Sequence, residues 1–205
     1  MLDHLVYATT NVEASLADLE QRWGVRGAMG GKHPGGTHNA LLDLGQGSYL
    51  EIIGPDPEQT PTPGVPMAFG IDRLKEPRLV TWAIKAPGIA GRVAKARRDG
   101  YDPGDAQPLS RKRPDGVLLE WVLTRAPEQR GDGLIPFLID WGNTPHPAET
   151  APKGCVFASL RAEHPDAGTV RALMRAVGEE LDVRVGPAPA LIATVHTPNG
   201  RKELR

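Results

Sequence analysis

The chain has 205 residues, of which 40% are hydrophobic and 24% charged, and its formal net charge is −1. A charge so close to zero gives no field that would attract nucleic acid or an anionic membrane. The longest apolar run, residues 134–139, is far shorter than the roughly 20 residues of a membrane-spanning helix, and the single Cys155 excludes an intrachain disulfide. We therefore expect a cytoplasmic protein whose partner is a small molecule.

The first predicted strand covers residues 2–9. A capping-box pattern, Thr10-Asn11-Val12-Glu13, follows it, and apolar residues at helical spacing predict a helix that ends at Gly24. Two apolar runs, 38–44 and 48–54, are joined by a short glycine-bounded turn and predict a hairpin. The first segment is thus expected to be a strand, a helix and a hairpin.

The same order of elements recurs twice. A strand at 79–85 precedes a helix that ends at Gly100, 100 − 24 = 76 residues after Gly24, and a strand pair follows at 116–124 and 134–142. The third copy is shorter and closes with a hairpin at Asn199-Gly200. We predict modules at 1–76 and 77–150, with a shorter unit at 151–205 that packs on the pair or extends it.

Three polar residues of the first module are expected on one face of its sheet. His4 and His38 open predicted strands, and Glu51 interrupts an apolar strand. Side chains alternate between the two faces of a strand, and we assign all three residues to the face opposite the helix. If the last strand lies between the first and third, they converge on one divalent ion (Fe, Mn, Ni or Zn) at about 2.0–2.2 Å. Alternatively, they contact a substrate directly or are hydrogen-bonded residues without a ligand.

Four stretches of this sequence resemble a glyoxalase-like domain of the vicinal oxygen chelate superfamily: LDHLVYA at 2–8, PGGTHNAL at 34–41, SYLEII at 48–53 and PFLIDWG at 136–142. The resemblance implies an α+β fold of βαβββ modules with strand order 1-4-3-2. Its curved mixed sheets would form a cup, with the helices on the outer face. In that superfamily the first and last strands of a module supply the ligands, and His4 and Glu51 match these positions.

The second module departs from the family pattern. A shift of 76 residues places Val80 where the first module has His4, and a shift of 88 places Ile139 where it has Glu51. Any metal site would therefore draw on one module. Candidate catalytic residues are Glu51 and Glu120, a base that could face the cup opposite Glu51. Candidate substrate-binding residues are Trp82, Arg111, Arg113, Trp141 and His146. The two arginines are candidates because a guanidinium matches a carboxylate.

These features favour a metal-dependent isomerase, lyase or dioxygenase that acts on a small oxygenated metabolite. The alternative is a non-catalytic protein that sequesters a small molecule, as the bleomycin-resistance members of the superfamily do. A third hypothesis is a structural module whose last unit caps the cup or pairs with a second chain in a homodimer.

Overall fold

Two β-sheets carry three α-helices in the computed structural model of the chain, which describes residues 1–60, 64–113, 115–128 and 130–205. The elements in chain order are β1 (Leu2–Ala8), α1 (Val12–Trp23), β2 (Ala28–His33), β3 (Thr37–Gly45), β4 (Ser48–Pro55), β5 (Arg78–Lys85), α2 (Ile89–Arg98), β6 (Ala106–Lys112), β7 (Leu118–Thr124), β8 (Phe137–Asp140), β9 (Val156–His164), α3 (Ala167–Ala176), β10 (Asp182–Val185), β11 (Ala190–Thr197) and β12 (Gly200–Leu204). Short 3-10 helices lie at Ala68–Arg73 and Pro147–Glu149. None of the helices in the described ranges is long and apolar enough to cross a membrane.

The larger sheet has eight strands in the order β2-β3-β4-β1-β5-β8-β7-β6. Each half follows the order 1-4-3-2 expected from the family resemblance. The first strand of each half pairs in parallel with its last, and the halves meet at the antiparallel pair of β1 and β5. The outer edges approach each other where Arg111 of β6 donates to the Gly30 carbonyl of β2 at 2.9 Å. The curved mixed sheet is therefore nearly closed into a cup, and the predicted α+β fold is confirmed.

One hydrophobic core joins the helices to the outer face of the large sheet and extends into the smaller one. Leu5, Leu50 and Ile52 of the large sheet belong to the same buried cluster as Trp23 of α1 and Leu191 of β11. The smaller sheet has the order β10-β9-β11-β12. With the helix-facing side so occupied, the opposite, concave side of the large sheet is left to form a cavity.

Helix α1 begins and ends close to its sequence signals. Asn11 is the N-cap and accepts a hydrogen bond from the Ala14 N–H at 2.8 Å, so the cap lies one residue after the expected Thr10. Gly24 ends the helix with φ of 77°, a left-handed conformation that glycine adopts without a Cβ clash. The predicted helix end is therefore confirmed.

Strands β2, β6 and β10 were not predicted from the sequence. Two of them lie at the edges of the large sheet and the third at an edge of the small one. Their side chains are mostly exposed or half-buried, so their sequences lack the apolar alternation by which half-buried strands are recognised. The glycine-rich segment 30–36 partly belongs to β2.

Candidate functional site

A cavity of about 1430 Å³ occupies the concave side of the large sheet. The first half of the sheet contributes His4, Tyr49 and Glu51 to its wall, and the second half contributes Arg111 and Trp121. The C-terminal unit adds residues 188–191 and Arg205. Ligand pockets typically measure about 300–1,000 Å³, so this cavity is roomy enough for a ligand with more than one functional group.

His4 is held by the residue before it. The Asp3 carboxylate is fully buried, and its Oδ1 lies 2.7 Å from His4 Nδ1. An ionised carboxylate only accepts hydrogen bonds, so Nδ1 is the donor, and in neutral His4 the Nε2 atom keeps its lone pair. A register shift between β1 and β5 falls between Leu2 and His4. This bulge interrupts the pairing at Asp3.

Asp3 also accepts hydrogen bonds from the segment that follows β8. Trp141 Nε1 donates to both carboxylate oxygens at 3.2–3.3 Å, and His146 Nε2 lies 3.1 Å from Oδ2. Burial by itself would raise the pKa of Asp3, but the hydrogen bonds from His146 and His4 outweigh it and hold this pKa well below its usual value. Asp3 is therefore an anion that ties the predicted rim residues Trp141 and His146 to His4.

Glu51 of β4 lies between two imidazoles. Its Oε2 is 3.8 Å from His4 Nε2, and its Oε1 is 4.0 Å from His33 Nε2. The same Oε1 accepts a hydrogen bond from Asn39 Nδ2 at 2.6 Å. Burial lowers the pKa of His33, which keeps that imidazole neutral, and its Nδ1 lies 3.0 Å from Thr37 Oγ1. Glu51 is thus oriented through one oxygen, and the other oxygen faces His4.

His4 is also packed between aromatic rings. Tyr49 stacks on it with ring centroids 4.7 Å apart, and Phe137 meets it edge-on at 5.4 Å. Burial raises the pKa of Tyr49 well above its usual value, so the phenol stays protonated. The rings fix the plane of the His4 imidazole, while Asp3 fixes its hydrogen bonding.

The structure does not bring His38 to this group, which corrects the predicted face of that residue. Asn39 lines the cavity, whereas Ala40 and Leu42 belong to the core on the helix side. Alternation therefore puts His38 on the helix side too, and its buried Nε2 has no hydrogen-bond partner in the described part of the chain. Almost all of β3 is buried on both faces, so its sequence offers no polar contrast from which to assign the faces.

Trp82 lies in the core and not on the floor of the cavity. Its Nε1 donates to the Leu134 carbonyl at 2.8 Å. The pairing of β1 with β5 shifts between Val6–Thr81 and Tyr7–Leu79, which leaves Val80 as the extra residue of a bulge. Val80 and Thr81 consequently both line the cavity. Simple alternation would place Trp82 on the same face as Val80, but the bulge reverses the faces between these two residues.

Two further predicted site residues lie outside the cavity. Glu120 is exposed on β7, and the next residue, Trp121, lines the cavity in its place. Arg113 forms an ion pair with Asp115 at the end of the β6–β7 hairpin. Arg111, in contrast, is buried and lines the cavity, and burial lowers its pKa. The residues that sequence reasoning missed are Asp3, His33, Asn39 and Tyr49.

The donor set for a metal ion is incomplete. His4 Nε2 and Glu51 Oε2 are close enough for both to reach one ion at about 2.0–2.2 Å. Across the described residues, however, no group of three or more His, Cys, Asp or Glu side chains is placed to hold an ion. Catalytic metal sites usually have three protein ligands, so the residues present do not by themselves make such a site.

The comparisons with known proteins agree with this fold. A protein-family model described as a glyoxalase-like domain matches residues 2–178. Among curated proteins, no sequence matches this chain significantly. A solved structure of a hypothetical protein from Staphylococcus aureus is 13% identical, covers 98% of this chain and 84% of its own, and has a TM-score of 0.66.

Two solved structures of methylmalonyl-CoA epimerases match a smaller part of this chain. Methylmalonyl-CoA epimerase from Mycobacterium tuberculosis is 16% identical over 69% of this chain and 87% of its own, with a TM-score of 0.44. A methylmalonyl-CoA epimerase in complex with methylmalonyl-CoA and NH4+ is 18% identical over 71% and 97%, with a TM-score of 0.47. These identities are too low to transfer an activity. Because the family model covers most of the sequence, the chain belongs to the glyoxalase-like domain family of the vicinal oxygen chelate superfamily.

Proposed function

We propose that this chain is an enzyme of the isomerase or lyase type that transfers a proton on a small oxygenated metabolite bound in the cavity. One observation carries the proposal: the Glu51 carboxylate lies against His4, which Asp3 holds by its other ring nitrogen. The Glu51 carboxylate accepts a hydrogen bond from Asn39 through one oxygen, and its other oxygen lies 3.8 Å from the His4 imidazole. A carboxylate placed in this way in a cavity has the arrangement of a general base.

The geometry suggests a separate task for each group. Asn39 occupies Glu51 Oε1, which leaves Oε2 to take a proton from a carbon next to a substrate carbonyl. His4 Nε2, 3.8 Å from Oε2, would accept that proton after a small approach and return it to another atom of the substrate. The Asp3 anion would stabilise the imidazolium that forms, as a buried carboxylate does beside a catalytic histidine.

A divalent ion, as the family resemblance implies, would polarise a substrate oxygen and stabilise an enolate. His4 and Glu51 supply only two donors, so metal dependence, including dioxygenase chemistry, is the second arm of the test. If the wild type binds one ion per chain and the His4→Ala/Glu51→Ala variant binds none, His4 and Glu51 are metal ligands. Elemental analysis of the purified proteins measures this directly.

The test of the main proposal is proton exchange. Small 2-oxo and 2-hydroxy acids are incubated with the protein in D2O, and loss of the C–H signal is followed by NMR. Glu51→Gln keeps the shape of the side chain and should slow exchange at least about 100-fold, the usual contribution of a general base. The matched control is Glu13→Gln on the exposed side of α1. Equal rates for wild type and Glu51→Gln, or no exchange with any compound, would refute the proposal.

Sequestration without catalysis is the alternative. It is favoured by the large cavity with its aromatic wall, of which Tyr49, Trp121 and Trp141 are part, and by the incomplete donor set. A binding protein of this kind would be stabilised by its ligand and would leave that ligand chemically unchanged. Thermal unfolding and product analysis on the same samples separate the two hypotheses.

A further inference from the structure

Arg111 is a buried cation without a carboxylate partner. Its residue is 6% exposed, and one of its N–H groups donates to the Gly30 carbonyl at 2.9 Å. No carboxylate of the described residues lies within 4.0 Å of the guanidinium, although ion pairs of that length are formed by Arg113 and by many other arginines of the chain. A buried charge is costly unless it is paired. An anion bound in the cavity would supply the partner that the described residues do not provide for Arg111.

The open donors of Arg111 belong to the cavity wall. A guanidinium has five N–H donors in one plane, and Gly30 uses one of them. The remaining donors match the two oxygens of a carboxylate or phosphate. Arg111 also interacts electrostatically with Glu51, so an anionic group bound there would lie close to the proposed base.

Arginines outnumber acidic residues on the cavity wall: Arg78, Arg125, Arg130 and Arg205 join Arg111, against Glu51, Glu76 and Asp132. Arg78, Arg125 and Arg130 line it, and none of them forms an ion pair within the part of the chain that the structure describes. Of the acidic residues on the described wall, Asp132 pairs with His164, while Arg205 pairs with Glu163 outside the wall. Exposed arginines contribute little binding energy, but a cavity with an excess of one charge attracts ligands of the other.

We propose that the ligand of this cavity is an organic anion, and that Arg111 binds its carboxylate or phosphate group while Glu51 faces the neighbouring carbon. The position of Glu51 in this statement rests on the proposed function. Recognition of the anion by Arg111 does not, because it follows from the unpaired guanidinium alone. The exposed arginines then draw the anion toward the cavity.

The experiment compares charged and neutral probes of the same shape. Lactate, its amide lactamide and inorganic phosphate are titrated into the wild type, with binding measured by NMR shifts and by thermal unfolding. Lactate should bind at least about tenfold more tightly than lactamide, because it alone forms a charge-assisted pair with Arg111. Tighter binding of phosphate than of lactate would identify a phosphate ester as the ligand class, and the reverse would identify a carboxylate.

Variants assign the effect to Arg111. Arg111→Gln should weaken lactate binding at least about tenfold, Arg111→Lys should fall between it and the wild type, and the control Lys112→Gln, on an exposed neighbour, should have no effect. Equal binding of lactate and lactamide by the wild type would overturn the proposal even if Arg111→Gln fails to fold, and so would undiminished binding by a folded Arg111→Gln. Glu51→Gln should still bind lactate, so a failure of the proton-transfer proposal is separable from a failure of this one.

Discussion

Asp3 Oδ2 and His146 Nε2 lie 3.1 Å apart, although 143 positions separate the two residues in the chain. Asp3 belongs to the first half of the large sheet and His146 to the segment that follows its second half. Their contact, together with that of Trp141, joins both halves at the rim of the cavity beside His4. The second half thus contributes to the site through this carboxylate, although it lacks counterparts of His4 and Glu51.

Replacing Asp3 with Asn should destabilise the protein. The amide keeps the volume of the side chain but replaces a carboxylate whose oxygens accept hydrogen bonds from three ring N–H groups. Each buried donor left unsatisfied costs about 1–3 kcal/mol. We expect the free energy of unfolding in urea at pH 7 to fall by about 2–4 kcal/mol. Asp140→Asn, at a half-buried carboxylate on β8, is the control. A loss for Asp3→Asn no larger than that of the control would contradict the role of Asp3.

The same carboxylate predicts how stability depends on pH. Because the pKa of Asp3 is held below its usual value, the unfolded chain binds the proton first as pH falls, and unfolding becomes easier. The contribution of Asp3 should be complete above about pH 5 and decline progressively as pH falls below about pH 4. Urea unfolding at several pH values should show a smaller decline for Asp3→Asn than for the wild type.

Trp82→Phe should affect stability and not ligand binding. The change removes the hydrogen bond to the Leu134 carbonyl and part of a buried ring, so the free energy of unfolding should fall by about 1–3 kcal/mol. Trp121 lies on the cavity wall beside Trp141. Trp121→Phe should therefore weaken ligand binding and leave the free energy of unfolding nearly unchanged. If Trp82→Phe binds lactate more weakly but is as stable as the wild type, Trp82 lines the cavity and does not belong to the core.

Gly30→Ala should disturb the site through Asn39. A Cβ at Gly30 would lie 2.2 Å from Asn39 Oδ1, whereas a Cβ at Gly35 would meet nothing within 4 Å. Overpacking of this kind costs about 1–3 kcal/mol, and moving Asn39 releases Glu51 Oε1. Thermal unfolding should show a lower melting temperature for Gly30→Ala and little change for Gly35→Ala. Equal melting temperatures would contradict the close approach of β2 to Asn39.

Cys155 should make the protein less stable in alkali. Burial raises the pKa of its thiol to about 11, so between roughly pH 9 and 11 the unfolded chain loses this proton before the folded one does. The free energy of unfolding should therefore fall over that range. Cys155→Ala should lack this contribution, and urea unfolding at pH 8, 9 and 10 measures the difference. Parallel pH profiles for the two proteins would show that the thiol is not buried from solvent.

Much of the fold follows from the sequence because its central strands and helices are amphipathic or buried. The order of those strands and helices that were predicted, the hairpin of β3 and β4 and the end of α1 at Gly24 are confirmed. The placement of modules at 1–76, 77–150 and 151–205 stays a prediction. The edge strands were missed because exposed strands carry no strong apolar pattern.

The site was less predictable, for local reasons. The bulge at Val80 reverses the alternation on which the faces were assigned and places Trp82 in the core, and the bulge near Asp3 interrupts the strand pairing at that residue. His38 lies in a strand that is buried on both faces, so neither face could be recognised. His33 and Asn39 lie in and beside the glycine-rich segment 30–36, which has no apolar pattern. Their contacts with Glu51 depend on how β2 and β3 pair, which residue spacing does not encode.

The gap between β2 and β6 is bridged by a side chain where a continuous sheet would have a ladder of backbone hydrogen bonds. The guanidinium that makes this bridge, Arg111 to Gly30, is also the group assigned to the anion. A ligand that binds Arg111 would therefore also change the strength of the contact between β2 and β6. Amide hydrogen exchange along these two strands should report occupancy of the interior even for a ligand that has no spectroscopic signal of its own.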